Sequence, residues 1–144
     1  MNSRGGSQSS GRGDRLEVLG PSECLRLLES RNIGRLGYCT DFGPRIVPMN
    51  YTLIADQLTF RTGADTEAAR HVPSHAIGFE VDHLDEYLHT GWSVLVLGNA
   101  RLLDMASLLM LDIRQIPQPW PEGRRSLVLQ LPLSNMTGRR VHPA

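Results

Sequence analysis

Ile33-Gly-Arg-Leu-Gly-Tyr-Cys-Thr40, Asp41-Phe-Gly-Pro44, Arg45-Ile-Val-Pro-Met-Asn-Tyr-Thr-Leu-Ile54, Ala55-Asp56 and Gln57-Leu-Thr-Phe-Arg-Thr62 follow one another without a break. The first run places Leu36, Tyr38 and Thr40 on one face at a spacing of two, the period of a strand. Asp41 to Pro44 is turn chemistry, and Ala55-Asp56 is a two-residue connection. The stretch therefore reads as an antiparallel meander of three strands. Pro48 inside the second strand marks an edge, a bulge, or a place where something other than a strand replaces a ladder partner, because proline has no N–H to donate.

Working outward, Gly20-Pro21-Ser22-Glu23 opens a helix that brings Cys24, Leu25 and Leu28 together and ends near Asn32. Downstream, Gly63-Ala64-Asp65 leads into a short helix from Thr66 to about His71, stopped before Pro73. Ala76–Val81 reads as a strand, His83–Gly91 as a polar loop, and Trp92–Asp104 as a long strand. Val94 to Leu97 within it is apolar on both faces, as expected of a strand covered on both sides by a barrel interior and a partner subunit. Asp104 caps a helix over Met105–Ile113. A Pro-rich loop and a strand over Ser126–Leu131 follow, with a further short strand at Met136–Val141. Residues 1–13, rich in Gly and Ser, read as a disordered tail, and 14–144 as one domain. The fold class is predominantly β: about six antiparallel strands with short helices, which close into a barrel to remove their edges.

The 144 residues include fifteen basic side chains, all of them Arg, against fifteen acidic ones. Without Lys there is no Schiff-base catalysis and no Walker-type phosphate loop. Balanced charge points away from nucleic acid as a partner. No run approaches the ~20 apolar residues that span a bilayer, and no signal-type h-region opens the chain, so a cytoplasmic protein with no membrane partner is expected. Cys24 and Cys39 are too few for a cysteine zinc site.

No nucleophile elbow or metalloprotease motif is present. Asp82, His83, Asp85, Glu86 and His89 read as a solvated loop, and Pro73 separates His71 from His75. The element Leu58-Thr-Phe-Arg-Thr-Gly63-Ala-Asp-Thr66 is more suggestive. A strand ending in Arg61-Thr62 and a Gly-bearing turn to a helix start offer hydroxyls, a guanidinium and backbone N–H groups to an anion. An ordinary strand-to-helix turn would look the same.

In order along the chain, Glu23-Cys-Leu-Arg-Leu-Leu28, Ile33-Gly-Arg-Leu36, Pro44-Arg-Ile-Val-Pro-Met-Asn-Tyr51, Leu58-Thr-Phe-Arg-Thr-Gly63, Ile77-Gly-Phe-Glu-Val-Asp82, Gly91-Trp-Ser-Val-Leu-Val-Leu-Gly-Asn-Ala100 and Thr137-Gly-Arg-Arg-Val141 resemble the pyridoxamine 5′-phosphate oxidase-like, FMN-binding split-barrel family, in particular its small actinobacterial-type members. The resemblance covers residues 16–141. It implies a six-stranded split barrel that forms a homodimer with two flavin sites at the subunit interface. By position, Val47, Pro48 and Asn50 would line the edge of the isoalloxazine. Arg61, Thr62 and Thr66 would surround the phosphate, with Arg45 as a further cofactor-binding cation, and Trp92 and Ser93 would approach the ring. Trp120 and Arg124 fall where a partner's C-terminal loop covers the site.

The implied activity is that of an FMN- or deazaflavin-dependent oxidoreductase passing hydride through the flavin to a small substrate, with no catalytic acid or base assigned. The alternative is a dimeric binding module with weak or lost flavin affinity. One departure bears on the choice. The family's pattern has Lys or Arg after Thr66, where this chain has Glu67 and Ala68. A unit charge at about 4 Å is worth ~1 kcal/mol in water and ~4 kcal/mol at an effective dielectric of ~20, so exchanging attraction for repulsion costs on the order of a hundredfold in affinity. Arg45, Arg61 or Arg70 would have to compensate, or Glu67 would have to point elsewhere.

Overall fold

Strands with apolar residues at alternate positions need hydrogen-bonding partners along their edges. In the computed structural model of this chain, which describes residues 15–117 and 126–143, they form one nine-stranded sheet. The strands are β1 (Arg15–Leu19), β2 (Ile33–Thr40), β3 (Gly43–Ile54), β4 (Gln57–Gly63), β5 (Ala76–Asp85), β6 (Thr90–Asn99), β7 (Arg101–Leu102), β8 (Ser126–Pro132) and β9 (Met136–His142). Their order is β1-β9-β6-β5-β2-β3-β4-β8-β7, and the pairs are antiparallel. Helix α1 is Pro21–Glu29, α2 is Glu67–His71 and α3 is Met105–Leu109.

The expectation of a predominantly antiparallel split barrel holds, but the strand count is nine rather than six. The long strand read over 92–104 is two pieces. β6 pairs with β5 and β9, whereas β7, one residue further on, pairs with β8. The chain itself thus links the far end of the sheet order back to β6, and six staves remain if β6 and β7 are taken as one. β9 and β1 extend the sheet beyond them. The β5–β6 hairpin also reaches further than its sequence suggests, to Asp85 and Thr90, over residues read as loop. Asp85 closes its tip by accepting from the N–H groups of Tyr87 and Leu88 at 3.0 and 2.8 Å. α3 ends at Leu109, earlier than expected, and Asp104 caps it by accepting from Ser107 N–H at 2.7 Å. The tail over 1–13, Trp120 and Arg124 lie outside the described residues.

The inward residues of the curled sheet, among them Leu36, Leu58, Phe60, Phe79, Val81, Val94, Val96, Leu129 and Leu131, form the main core. α1 closes one end with Cys24, Leu27 and Leu28, and α2 enters elsewhere with Ala68, followed by Val72. Tyr51 reaches from β3 to α1, its hydroxyl donating to Leu28 O at 2.5 Å. A second, smaller core of Leu103, Ile116 and Val128 lies near α3. On β6, Val94 and Val96 are fully buried, while Leu97 on the opposite face remains 43% exposed.

Two predictions follow from this packing. A Cβ added at Gly34 would lie 2.6 Å from Glu80 O and would also overlap Phe79 and Val81, where strands and core leave no room. Gly34→Ala should therefore cost about 1–3 kcal/mol of unfolding free energy, measured by urea denaturation. Glu23 is held by Arg26 and Arg140, whose hydrogen bonds lower its carboxyl from the ordinary 4.5 to about 2. A carboxyl depressed in the folded state contributes stability above its unfolded pKa and loses it as pH falls toward the folded value. Glu23→Gln should flatten the loss of stability between about pH 4.5 and about pH 2, read as the denaturation midpoint against pH.

Candidate functional site

β3 is twelve residues long, yet it has two different surroundings. Its last four residues, Tyr51–Ile54, pair with the next strand of the meander, β4, through Phe60, Thr59, Leu58 and Gln57. Its first eight, Gly43 to Asn50, pair with β2 alone. Beyond Tyr51 and Phe60 the two strands part, because β4 continues along β8 as far as Gly63 and then turns into α2. Among the described residues no strand occupies the other edge of 43–50. Pro48 sits there, so of the three roles open to it the edge is the one observed.

The gap has a polar end. Thr62, buried, shares a 3.0 Å hydrogen bond with the Thr66 hydroxyl. Thr66 Oγ1 also lies 2.7 Å from Gly63 O and accepts from Ala69 N–H at 3.2 Å, so Thr66 is the N-cap of α2 rather than its first residue. The next residue, Glu67, turns toward the sheet. Its Oε1 lies 3.2 Å from Arg45 Nε and accepts from the Tyr38 hydroxyl at 3.0 Å. Tyr38 and Arg45 are cross-strand partners, and the His71 ring stacks on Tyr38 with centroids 6.4 Å apart. Burial, then the bond to Glu67, raises the Tyr38 phenol above its usual value and keeps it a donor. Arg70 donates to Asp65 O at 3.2 Å.

The residues expected at the site do not all share one face. Arg45 and Val47 lie on the half-buried side of β3, whereas Pro48 is on the exposed side and Asn50 follows it in alternation. Thr62 points to the main core, but Arg61 points the other way and donates from Nε to Ser126 Oγ at 2.5 Å. Trp92 packs against the main core, and Ser93, next in the strand, takes the opposite face. Trp92 is also far along the sheet. Val47, Leu36, Phe79 and Val96 form one row. Trp92 is four residues back from Val96, an offset of about 13 Å along the strands, and about 20 Å from the level of Arg45. One chain thus unites Arg45, Thr62 and Thr66 with Glu67, and leaves Trp92 and Ser93 apart from them.

Tyr38 was not singled out from the sequence. With the turn read over Asp41 to Pro44, Thr40 rather than Tyr38 would face Arg45, and only the shorter turn observed puts Tyr38 there. Elsewhere, no group of three or more His, Cys, Asp or Glu among the described residues is placed to hold a metal ion. No helix among them is long and apolar enough to cross a membrane.

The groups at the polar end suit a phosphorylated cofactor that exchanges their present bonds: Thr66 donates to Gly63 O, which leaves Thr62 to donate to Thr66, and the Arg45 guanidinium is on Glu67, beside a strand edge with backbone groups to offer a flat ring. The carboxylate of Glu67 is the one group of opposite character. Thr66 carries the local geometry, so Thr66→Ala should lower unfolding free energy by about 1 kcal/mol through loss of the cap, with Thr66→Ser retaining most of it. Thermal and urea denaturation of the two variants check this.

Comparison with known proteins agrees with this geometry. The family model described as pyridoxamine 5′-phosphate oxidase matches residues 21–140. An uncharacterized protein of Mycobacterium tuberculosis is 28% identical over 124 residues, covering 83% of this chain and 81% of its own length. The FAD binding protein from Mycobacterium smegmatis is 29% identical with a TM-score of 0.76, over 89% of this chain and 100% of that one. A FAD-binding protein from Mesorhizobium loti, 19% identical with a TM-score of 0.71 over 90% of this chain and 98% of that one, shares the fold. The match across most of the chain, on a split sheet of the expected kind, shows that this protein belongs to the pyridoxamine 5′-phosphate oxidase family.

Proposed function

We propose that the chain binds a flavin nucleotide in the gap between β3 and β4 and works as a flavin-dependent oxidoreductase on a small substrate. The observation that carries this reading is the parting of the two strands after Tyr51 and Phe60, with Arg45, Thr62 and Thr66 gathered at one end. FMN is the nucleotide the family resemblance implies, and two structural relatives are named for FAD. A deazaflavin has the same flat ring and phosphate. When bound, the flavin supplies hydride acceptance, and the protein supplies binding, orientation and exclusion of water. Arg45 and the two threonines would hold the phosphate. The one-sided stretch 43–50 would offer backbone N–H and C=O groups to the polar edge of the ring.

The distance of Trp92 and Ser93 from this end supports a shared site. A second copy of the chain would bring its own Trp92 and Ser93 to the ring, as the homodimer of the family resemblance implies. The face that carries Ser93 also presents Leu97, Ile46 and Val18, which are 43%, 73% and 81% exposed in one chain. Such a patch gains from burial between copies. Cys24 and Cys39 are both free thiols, in keeping with a cytoplasmic location.

A second reading, a dimeric binding module without turnover, is favoured by one observation: Arg45 is already paired with Glu67. Only the oxidoreductase requires firm flavin binding, since the module has weak or lost flavin affinity. Titrating FMN, FAD and a deazaflavin into the purified full chain should quench flavin fluorescence at micromolar ligand, and Arg45→Gln should weaken binding about tenfold. Absence of quenching by all three would remove the oxidoreductase and favour the module. Reduction of the bound flavin by a nicotinamide donor, with turnover on an electron acceptor, separates the oxidoreductase from the module.

A further inference from the structure

Resting on the flavin reading of this same gap, we propose that Glu67 sets the kind of phosphate the site accepts, disfavouring a terminal phosphomonoester, as in FMN, relative to a phosphodiester, as in the diphosphate of FAD. Glu67 follows Thr66 directly, and successive Cα atoms are only about 3.8 Å apart. A phosphate held by the Thr62 and Thr66 hydroxyls therefore lies within a few ångströms of the Glu67 side chain's point of attachment. The carboxylate is fixed there by two donors from different strands, Arg45 Nε at 3.2 Å and the Tyr38 hydroxyl at 3.0 Å. Tyr38 is itself 6% exposed and stacked on His71, so the clamp is not a loose surface contact.

Two consequences follow for charge. First, the Arg45 guanidinium is compensated before any ligand arrives. Second, the negative charge that compensates it is held on the ligand's side of the turn. A phosphomonoester carries close to two negative charges at neutral pH, since its second pKa is near 6. The diphosphate of FAD also carries about two, but they are spread over two phosphates, so one unit lies beside Glu67 and the other a P–O–P bridge further away. Repulsion from Glu67 therefore acts about twice as strongly on the monoester group. At separations of about 4 to 6 Å and surface-like dielectric, one extra unit of repulsion corresponds to about tenfold in affinity after allowance for solvent screening. Gln at this position keeps an oxygen that accepts from Tyr38 and Arg45 while removing the charge.

The test is a matrix of titrations on the full chain, native and Glu67→Gln, with FMN, FAD and riboflavin, read by fluorescence quenching or calorimetry. The expected result is that the native chain binds FAD about tenfold tighter than FMN. Glu67→Gln should tighten FMN about a hundredfold and FAD about tenfold, and leave riboflavin, which has no phosphate, within about twofold. Contacts of the adenosine half cancel when the FAD-to-FMN ratio of the variant is divided by that of the native chain. FMN binding the native chain as tightly as FAD overturns the proposal, and so does an unchanged ratio in the variant. Equal riboflavin affinity establishes that the variant is folded, and should it not fold, Glu67→Ala takes its place in the same ratio. Failure of all three flavins to bind either protein removes the flavin reading itself, whereas binding at an unchanged ratio removes only the role of Glu67.

Discussion

Eight consecutive residues of β3 have a strand beside them on one edge only among the described residues, and the arrangement around them follows from that constraint. Backbone N–H and C=O groups cannot be buried unpaired, so this edge must face water, a ligand or another chain. Pro48 removes one donor from the stretch. The strand that would otherwise pair here, β4, is drawn away because it keeps its full register with β8 through Gly63. The turn that follows sends Ala68 and Val72 into the main core. These buried side chains act as a wedge: closing β3 onto the end of β4 would require α2 to leave the core. The opening is thus maintained by apolar burial, at ~25 cal/mol per Å² of surface removed from water, and not by the polar residues that line it.

The polar residues fix what the opening can hold. Thr66 is committed to capping α2, and its hydroxyl also meets Thr62. The Arg45–Glu67–Tyr38 cluster ties the first residue of α2 to both strands of the β2–β3 hairpin. The same contacts that seat α2 therefore also orient Arg45 beside the Thr62–Thr66 turn.

The meander β2–β3–β4 was legible in the sequence because its signals are local. Alternation gives the faces and the 55–56 turn gives the register of the second hairpin, whereas the first turn, read over Asp41 to Pro44, is only two residues long and β3 begins at Gly43. Ala55 and Asp56 both adopt positive φ, 50° and 58°, which is the geometry of a two-residue hairpin. β1 was not legible for the opposite reason. Leu16 and Val18 face outward, 58% and 81% exposed, and only Leu19 is buried, so no pattern marks it as a strand. Its partner, β9, lies more than a hundred residues away, with Leu19 opposite Gly138. The outer half of the β5–β6 hairpin was hidden similarly, since backbone pairing alone extends it through polar residues. At the site, the Thr62–Thr66 turn is local and was legible. Grouping Val47 with Pro48 and Asn50 was a matter of sequence position, and the strand's alternation divides them.

Glu67 shows why one unexpected residue can leave a fold intact and still change its chemistry. Its side chain is 36% exposed and that of Arg45 40%, and ion pairs this open contribute about 0–1 kcal/mol. Nor does the fold need a carboxylate at the first position of α2, which is already capped by Thr66. Stability therefore gives little reason for a negative charge here. What the charge does change, in the proposed flavin site, is the potential at its phosphate end, where an attraction expected from the family's pattern is replaced by a cation paired in advance and an anion beside it. The fold's requirements and the ligand's requirements separate at this residue: the first are met by threonine hydroxyls and buried alanine and valine, the second by the sign of a single side chain.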